Sequence, residues 1–274
     1  MPNEMKLGSA DWNLWPIGIN YETTFPLFSK LGIQYVEIGI YKPSEELVKE
    51  RQQSISNLQM NHNIEVSAAL FSLTSERWPN GAFSNMKSSF LAECEFFLSA
   101  LQKMGIKFAN IWTGADFPDS NLEETLLTLS KLDELASKFE GIVSIEYKAD
   151  TIFADGESLA EILSNFKNLK VLIDTGHAFA LEENVVDLIK KLNDCNLLGA
   201  MHFGDAVAGD SDADLPCGRV HDFSPILQAL KEIHYSASAN FDLYGAAVDK
   251  NGPGPESILI ESSNYLNSLL ENSL

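Results

Sequence analysis

Four acidic or histidine residues lie at the ends of short apolar segments, and their types suit the binding of a divalent cation. Glu146 ends VSIE, Asp174 ends VLID, His202 lies in GAMHF, and Asp242 follows SANF. Such groups are costly inside apolar segments unless they are paired or bound to a metal. Three carboxylates that meet at one place repel one another and need a cation to balance them. Oxygen-rich ligands with one histidine favour Mn²⁺, with Mg²⁺, Co²⁺ or Zn²⁺ as alternatives.

Other polar residues follow these four closely in the sequence. His177 comes three residues after Asp174, and Lys148 comes two residues after Glu146, so that each can face the same pocket as its neighbour. A lysine there could donate a hydrogen bond to a substrate carbonyl or a developing oxyanion. A packing histidine and a surface lysine are the plainer interpretations.

The segment HFGDAVAGDSDADL, which begins at His202, carries four aspartates. If the segment is a loop that extends from the end of a strand, Asp210 and Asp212 could reach a second metal. A solvated acidic loop explains the same composition. A calcium-binding EF-hand loop does not, because the glycine and the final glutamate are missing at the required spacing.

The elements that position these residues are predicted from alternating apolar and amphipathic segments. Helical spacing of apolar residues predicts helices at Ser44–Asn61, Glu182–Asn193, Ser224–Ile233 and Glu256–Leu270. Short runs rich in Val, Ile and Phe predict eight strands: Met5–Ala10, Tyr35–Ile40, Ile64–Phe71, Phe108–Trp112, Ile142–Tyr147, Val171–Asp174, Leu198–Phe203 and Ala237–Leu243.

Strands that alternate with helices indicate a parallel sheet, and eight repeats indicate a closed (β/α)8 barrel, a TIM barrel. We expect a single domain over residues 1–274. An open doubly wound sheet is the main alternative, but neither GxGxxG nor GxxxxGK[ST] occurs. Active sites of such barrels lie at the carboxyl ends of the strands. Glu146, Asp174, His202 and Asp242 would converge there.

Composition limits the classes of partner. With 39 acidic and 19 basic residues the chain has a formal net charge of −20, which disfavours nucleic acid and anionic lipid. The three cysteines form no CxxC pair. The N-terminal residues lack the pattern of a secretory signal, and no apolar run approaches the ~20 residues of a membrane span. We therefore expect a cytoplasmic protein with a small-molecule substrate.

The motifs resemble those of the xylose isomerase-like barrel superfamily, which includes sugar isomerases, sugar epimerases and endonuclease IV-like repair enzymes. The repair branch is disfavoured by the charge and by the lack of histidines at the ends of strands two and three. The order of the motifs is most similar to that of the xylose and rhamnose isomerases: Glu146-x-Lys148, Asp174-x-x-His177, His202, Asp210-x-Asp212 and Asp242.

The resemblance implies two metals and an assignment of roles. It gives a structural metal held by Glu146, Asp174, His202 and Asp242, and a catalytic metal surrounded by Asp174, His177, Asp210 and Asp212. Lys148 would assist at the carbonyl, and Asp212 would move the hydroxyl proton with a bound water. The implied catalytic residues are thus Glu146, Lys148, His177 and Asp212.

The activity implied is the interconversion of an aldose and a ketose by a metal-assisted hydride shift. The alternative is 3-epimerisation of a ketose or ketose phosphate, with Glu146 and Asp242 on opposite faces of the sugar. The tagatose epimerase-like branch has glutamate where this chain has Asp242. A glycosidase or a sugar-binding barrel is a third class, which the density of metal ligands disfavours.

The sugar pocket is predicted to involve Glu37, Trp12, Phe71 and Trp112. The resemblance is compatible with a homo-oligomer, a dimer or a tetramer. The chain departs from the isomerases in lacking their long C-terminal arm and the ring-opening histidine expected near strands two or three.

Overall fold

The computed structural model describes residues 5–18, 20–73, 87–114, 122–149 and 151–272. Within them, parallel strands pair in sequence order, and β8 closes the barrel against β1. The (β/α)8 prediction is confirmed. The described strands are β1 (Lys6–Ala10), β2 (Tyr35–Ile40), β3 (Glu65–Phe71), β4 (Phe108–Trp112), β5 (Ile142–Glu146), β6 (Leu169–Asp174), β7 (Leu198–Phe203) and β8 (Ser238–Phe241).

Helices follow the strands around the outside of the barrel, and a 3₁₀ helix (Asp11–Ile17) follows β1 directly. The described α-helices are α1 (Tyr21–Lys30), α2 (Pro43–Glu46), α3 (Lys49–His62), α4 (Lys87–Met104), α5 (Leu122–Ala136), α6 (Gly156–Leu163), α7 (Thr175–Ala180), α8 (Val185–Asp194), α9 (Ser224–Glu232), α10 (Tyr244–Val248) and α11 (Pro255–Asn272). None of these described helices has both the length and the apolar character of a membrane span.

The predicted helices match α8, α9 and α11 to within a few residues, but the helix expected over Ser44–Asn61 is divided into α2 and α3. The division occurs at Val48, whose φ of −65° and ψ of 158° are extended backbone. Leu47, immediately before it, is fully buried. The periodicity of the sequence did not reveal this interruption.

The main hydrophobic core lies between the barrel and the helices. Phe71 belongs to it: its side chain is 1% exposed, and its ring centroid lies 5.6 Å from that of Phe90 and 5.7 Å from that of Phe97, both on α4. The prediction that Phe71 contacts a sugar is therefore corrected. The run of apolar residues in β3 does not indicate which side of the strand this ring faces.

Candidate metal centre and pocket

The ends of β5 to β8 bring four of the predicted residues together. Nδ1 of His202 lies 3.9 Å from Oε1 of Glu146, 3.8 Å from Oδ2 of Asp174 and 3.7 Å from Oδ2 of Asp242. The side chain of His202 is fully buried, and its Nδ1 has no hydrogen-bond partner. A buried nitrogen that faces three carboxylate oxygens without bonding to any is an arrangement that a shared cation would complete.

The donor set fits a divalent cation on geometry and on chemistry. The ligand atoms of Asp174, His202 and Asp242 lie within 4.8 Å of one another, and so do those of Glu146, Asp174 and His177. Carboxylate oxygens and a neutral imidazole nitrogen are ordinary ligands of such ions. Asp174 belongs to both groups, which places it at the middle of the cluster.

Local structure explains how Asp174 can serve the cluster. It is the last residue of β6 and the N-cap of α7, and its Oδ1 accepts a hydrogen bond of 2.9 Å from the backbone N–H of His177. Its Oδ2 is the oxygen that faces His202. Capping therefore fixes the carboxylate while leaving one oxygen for a ligand.

Glu37 holds the other nitrogen of His202 and is itself fully buried. Its Oε2 lies 2.9 Å from Nε2 of His202 and accepts a 2.8 Å hydrogen bond from Asn240, and its Oε1 accepts one of 2.8 Å from Asn110. We assign a proton to Nε2 because Glu37 is an acceptor, which leaves Nδ1 as the nitrogen that a cation could use. The prediction that Glu37 contacts substrate is corrected, because Glu37 is fully buried behind His202 and is not among the described residues that line the cavity.

Hydrogen bonds also orient Asp242 and His177. Nε1 of Trp12 donates to Oδ1 of Asp242 over 2.8 Å, which leaves Oδ2 toward His202. Nδ1 of His177 donates to the carbonyl oxygen of Tyr147 over 3.0 Å, so that Nε2 is the free acceptor nitrogen. Burial lowers the pKa of His177, which favours this neutral form.

The electrostatics of the cluster link metal binding to the loss of protons. Burial raises the pKa of Glu146 to about 8 and that of Asp242 to about 6; the charge of His202 opposes both shifts, and that of Asp174 adds to them. Burial alone would lower the pKa of His202, but the charge of Glu37, with those of Glu146 and Asp242, raises it well above the ordinary value. Without a cation, the cluster therefore retains protons that a metal would displace.

This electrostatic state predicts how stability depends on pH. A carboxyl whose pKa is raised on folding, as for Glu146, stabilises the fold below its unfolded value and loses that contribution as pH rises toward about 8. The raised pKa of His202 acts in the same direction. The metal-free protein should therefore melt at a lower temperature at pH 8 than at pH 5.5, and the gain on adding Mn²⁺ should be larger at pH 8.

Thermal denaturation with EDTA or Mn²⁺ at the two pH values checks this prediction. At one fixed Mn²⁺ concentration, chosen as 100 times the Kd at pH 8, the stabilisation at pH 8 is about 2.7 kcal/mol, or roughly 5–10 °C in Tm. A gain that is equal at both pH values, or larger at pH 5.5, would mean that the proton-binding residues are not the metal ligands.

A cavity of about 730 Å³ opens above the cluster. Glu146, His177 and Asp242 line it, whereas Asp174 and His202 are not among its described lining residues. Trp12 and Trp112 line it as the sequence predicted. The described lining residues are Trp12, Trp15, Tyr41, Leu70, Ser72, Leu73, Trp112, Glu146, Lys148, His177, Asp212, Asp214, Asp242, Tyr244, Gly245 and Val248.

The acidic loop after β7 does not join the metal cluster. Asp212 forms an ion pair with Lys148 and is 79% exposed, and Asp210 is exposed beside it. Neither belongs to a group of converging ligand atoms among the described residues. The prediction that Asp210 and Asp212 complete a second metal site is corrected to this extent: the ion pair with Lys148 directs Asp212 to the wall of the pocket.

Asp214, which the sequence motifs did not single out, is less exposed than Asp210 and Asp212 in the same loop. Its Oδ2 accepts a 2.8 Å hydrogen bond from the N–H of Gly245. A Cβ at Gly245 would lie 2.1 Å from the carbonyl oxygen of Asp212, so glycine is what allows the two loops to approach. Burial, with the charges of Asp242 and Asp174, raises the pKa of Asp214 well above its ordinary value. In the sequence, membership of the acidic run was the only sign that Asp214 lies near the site.

Comparison with known families decides which family the chain belongs to. Residues 25–268 match the family described as xylose isomerase-like TIM barrel. The chain belongs to this family. The match covers all strands after β1 and every residue of the metal cluster. A comparison with curated proteins gave no significant sequence match.

Solved structures of the xylose isomerase-like fold superpose over nearly the whole chain. D-allulose 3-epimerase from Methylomonas sp. has a TM-score of 0.77 at 15% identity, covering 98% of this chain and 99% of its own. The 3-keto-D-glucoside 4-epimerase YcjR from E. coli has 0.76 at 16% identity, covering 97% and 100%. The IolI protein with a bound zinc atom has 0.74 at 18% identity, covering 98% and 99%. At these identities the similarity establishes the fold.

Proposed function

We propose that this chain is a divalent-cation-dependent sugar epimerase that inverts a carbon next to a keto group by proton transfer. The observation that carries the proposal is the exposure of the cluster to the cavity. Of the three carboxyl residues around His202 Nδ1, Glu146 and Asp242 line the described cavity; Glu146 is the last residue of β5, and Asp242 directly follows β8.

The positions of this pair suit an acid and a base. Oxygens of Glu146 and Asp242 lie 3.9 Å and 3.7 Å from Nδ1 of His202, so both carboxyls border the same end of the cavity. A base and an acid on different walls of a pocket can act on opposite faces of one carbon. Removing the proton on one face and returning one on the other inverts that carbon.

In this scheme the chain's own residues perform the proton transfers. One carboxylate of the pair takes the proton from the carbon, the C–H electron pair becomes the C=C bond of an enediolate, and the carbonyl π electrons move to the oxygen. The other carboxyl then delivers its proton to the opposite face of the carbon, and the keto group forms again. Exchange with solvent then resets both groups. Bound by Glu146, Asp174, His202 and Asp242, the cation would polarise the sugar oxygens next to the reacting carbon. We favour Mn²⁺ for this oxygen-rich set.

Two side chains at the cavity would orient the sugar. The free Nε2 of His177 can accept a hydrogen bond from a hydroxyl, and Lys148, which lines the cavity and pairs with Asp212, can donate one to an oxygen. The names of the two epimerases that share the fold agree with the proposed chemistry. In each name, the epimerised carbon is next to the keto carbon.

Aldose–ketose isomerisation is the second candidate, favoured by Lys148 next to Glu146 on the cavity wall. It is second because Asp210 and Asp212, which the two-metal hydride shift would require, lie outside the cluster. A glycosidase is less consistent with this site. The two carboxyl groups of a glycosidase flank the glycosidic bond, whereas the carboxylates of this site surround a histidine.

Isotope labelling separates these reactions. Mn²⁺-loaded protein is incubated with a panel of ketoses and aldoses in D₂O, and the products are analysed by NMR. Epimerisation by proton transfer predicts deuterium at the inverted carbon of a product that keeps its keto group. Interconversion of C1 and C2 carbonyls with little solvent label would contradict the proposal and support the hydride-shift isomerase.

A further inference from the structure

The cavity is larger than one sugar ring needs. Its volume is about 730 Å³, within the range of about 300–1,000 Å³ that encloses drug-sized ligands. A hexose has only twelve non-hydrogen atoms. The reacting sugar at the metal end would therefore leave a considerable part of the cavity to another portion of the substrate.

That outer part has an aromatic wall. The ring centroid of Trp15 lies 5.2 Å from that of Tyr41 and 5.7 Å from that of Tyr244. Trp15 comes one turn of the 3₁₀ helix after Trp12, whose indole binds Asp242, so the aromatic surface extends outward from the metal centre. Tyr244 and the nearby Val248 also line the cavity, and they are 39% and 43% exposed.

The described lining of the cavity disfavours an anionic second group. Lys148 is the one cationic side chain among the described lining residues, and it is already paired with Asp212. In the part of the cavity away from the metal, a phosphate or nucleotide would therefore meet aromatic rings and carboxyl groups rather than a cationic side chain of its own. The outer wall therefore suits a neutral group with apolar faces, and the C–H face of a sugar ring stacks well on Trp and Tyr.

We propose that the substrate is a neutral two-ring sugar, in which the reacting keto sugar carries a second sugar ring that packs against Trp15, Tyr41 and Tyr244. This inference rests on the proposed function for the position of the reacting ring. It adds the substrate class: a glycoside rather than a free or phosphorylated monosaccharide.

Calorimetric titration of the Mn²⁺-loaded protein tests the proposal. The probes are fructose, three glucosyl-fructose disaccharides linked through O3, O4 or O6 of fructose, and fructose 6-phosphate. We expect at least one disaccharide to bind 10-fold or more tightly than fructose, and fructose 6-phosphate to bind more weakly than fructose. Disaccharides that bind no better than fructose, or preferred binding of the phosphate, would overturn the proposal.

Variants of the outer wall locate the second ring. Tyr244→Ala should reduce the preference for the disaccharide over fructose by about 3- to 10-fold, the worth of one aromatic contact. Trp15→Ala should act in the same direction, and a melting curve for each variant shows that it is folded. Phe96→Ala, an exposed aromatic position on α4, is the control and should not change the ratio. An equal loss of affinity for the disaccharide and for fructose would overturn the assignment of the second ring to this wall.

The outcome also separates this proposal from the proposed function. Deuterium exchange into fructose without any disaccharide preference would overturn the two-ring substrate and leave the epimerase intact. Disaccharide binding that depends on Tyr244, without exchange into any sugar of the panel, would support the outer subsite and count against the epimerase.

Discussion

Replacing Glu146 by glutamine is expected to lower turnover by about 10²- to 10⁴-fold, even at saturating Mn²⁺. Glutamine keeps an oxygen and the shape of the side chain, but it cannot take or give the proton. It also weakens one ligand of the cation. The loss should therefore persist when metal is added in excess, and steady-state kinetics across a Mn²⁺ titration measures it.

A stability measurement shows that this loss is not unfolding. Burial raises the pKa of Glu146 to about 8, so its ionisation works against the metal-free fold, and the amide removes that cost. The metal-free variant should melt at or above the wild-type temperature at pH 8. Glu161→Gln, at an exposed position on α6, is the matched control and should retain full activity. Near-normal turnover in Glu146→Gln would exclude this carboxylate as acid or base.

Replacing Glu37 by glutamine is expected to weaken Mn²⁺ binding by about 10- to 100-fold, although Glu37 does not touch the metal site. Both carboxylate oxygens accept hydrogen bonds, from His202 and Asn240 on one side and from Asn110 on the other. An amide presents donors on one side, so one of these donors must lose its acceptor. A neutral amide oxygen is also a weaker acceptor than a carboxylate, so the proton on Nε2 of His202 is held less firmly and Nδ1 becomes a weaker ligand.

The dependence of turnover on the Mn²⁺ concentration distinguishes the positioning role of Glu37 from a catalytic role. Excess Mn²⁺ should restore most of the turnover of Glu37→Gln but not that of Glu146→Gln. Calorimetry of Mn²⁺ binding gives the affinity directly, with Glu161→Gln again as the control. An unchanged affinity would show that the contact between Glu37 and His202 does not orient the ligand.

The barrel could be predicted because its signal is repeated along the whole chain. Each apolar run and each amphipathic segment adds to the same pattern, and strands such as Tyr35–Ile40 and Leu198–Phe203 coincide with the observed bounds. The break at Val48 was missed because one residue with extended backbone leaves no trace in periodicity.

The convergence of Glu146, Asp174, His202 and Asp242 could be predicted because charged residues ending apolar strands must meet at one end of a barrel. Side-chain direction was harder to predict. Glu37 and Phe71 both lie on strands, but sequence alone did not show that the first faces His202 and the second faces α4. Loop conformation was hardest: Asp212 and Asp214 are two residues apart, yet one is largely exposed and the other bonds to Gly245.

A crystal structure of the chain with Mn²⁺, with its anomalous difference map, tests the central claim most directly. We expect one strong peak within about 2.0–2.6 Å of ligand atoms from Glu146, Asp174, His202 and Asp242. His202 should contribute Nδ1, with Nε2 still bonded to Glu37. A peak between Asp210 and Asp212 instead, or no peak among the four residues, would contradict the account.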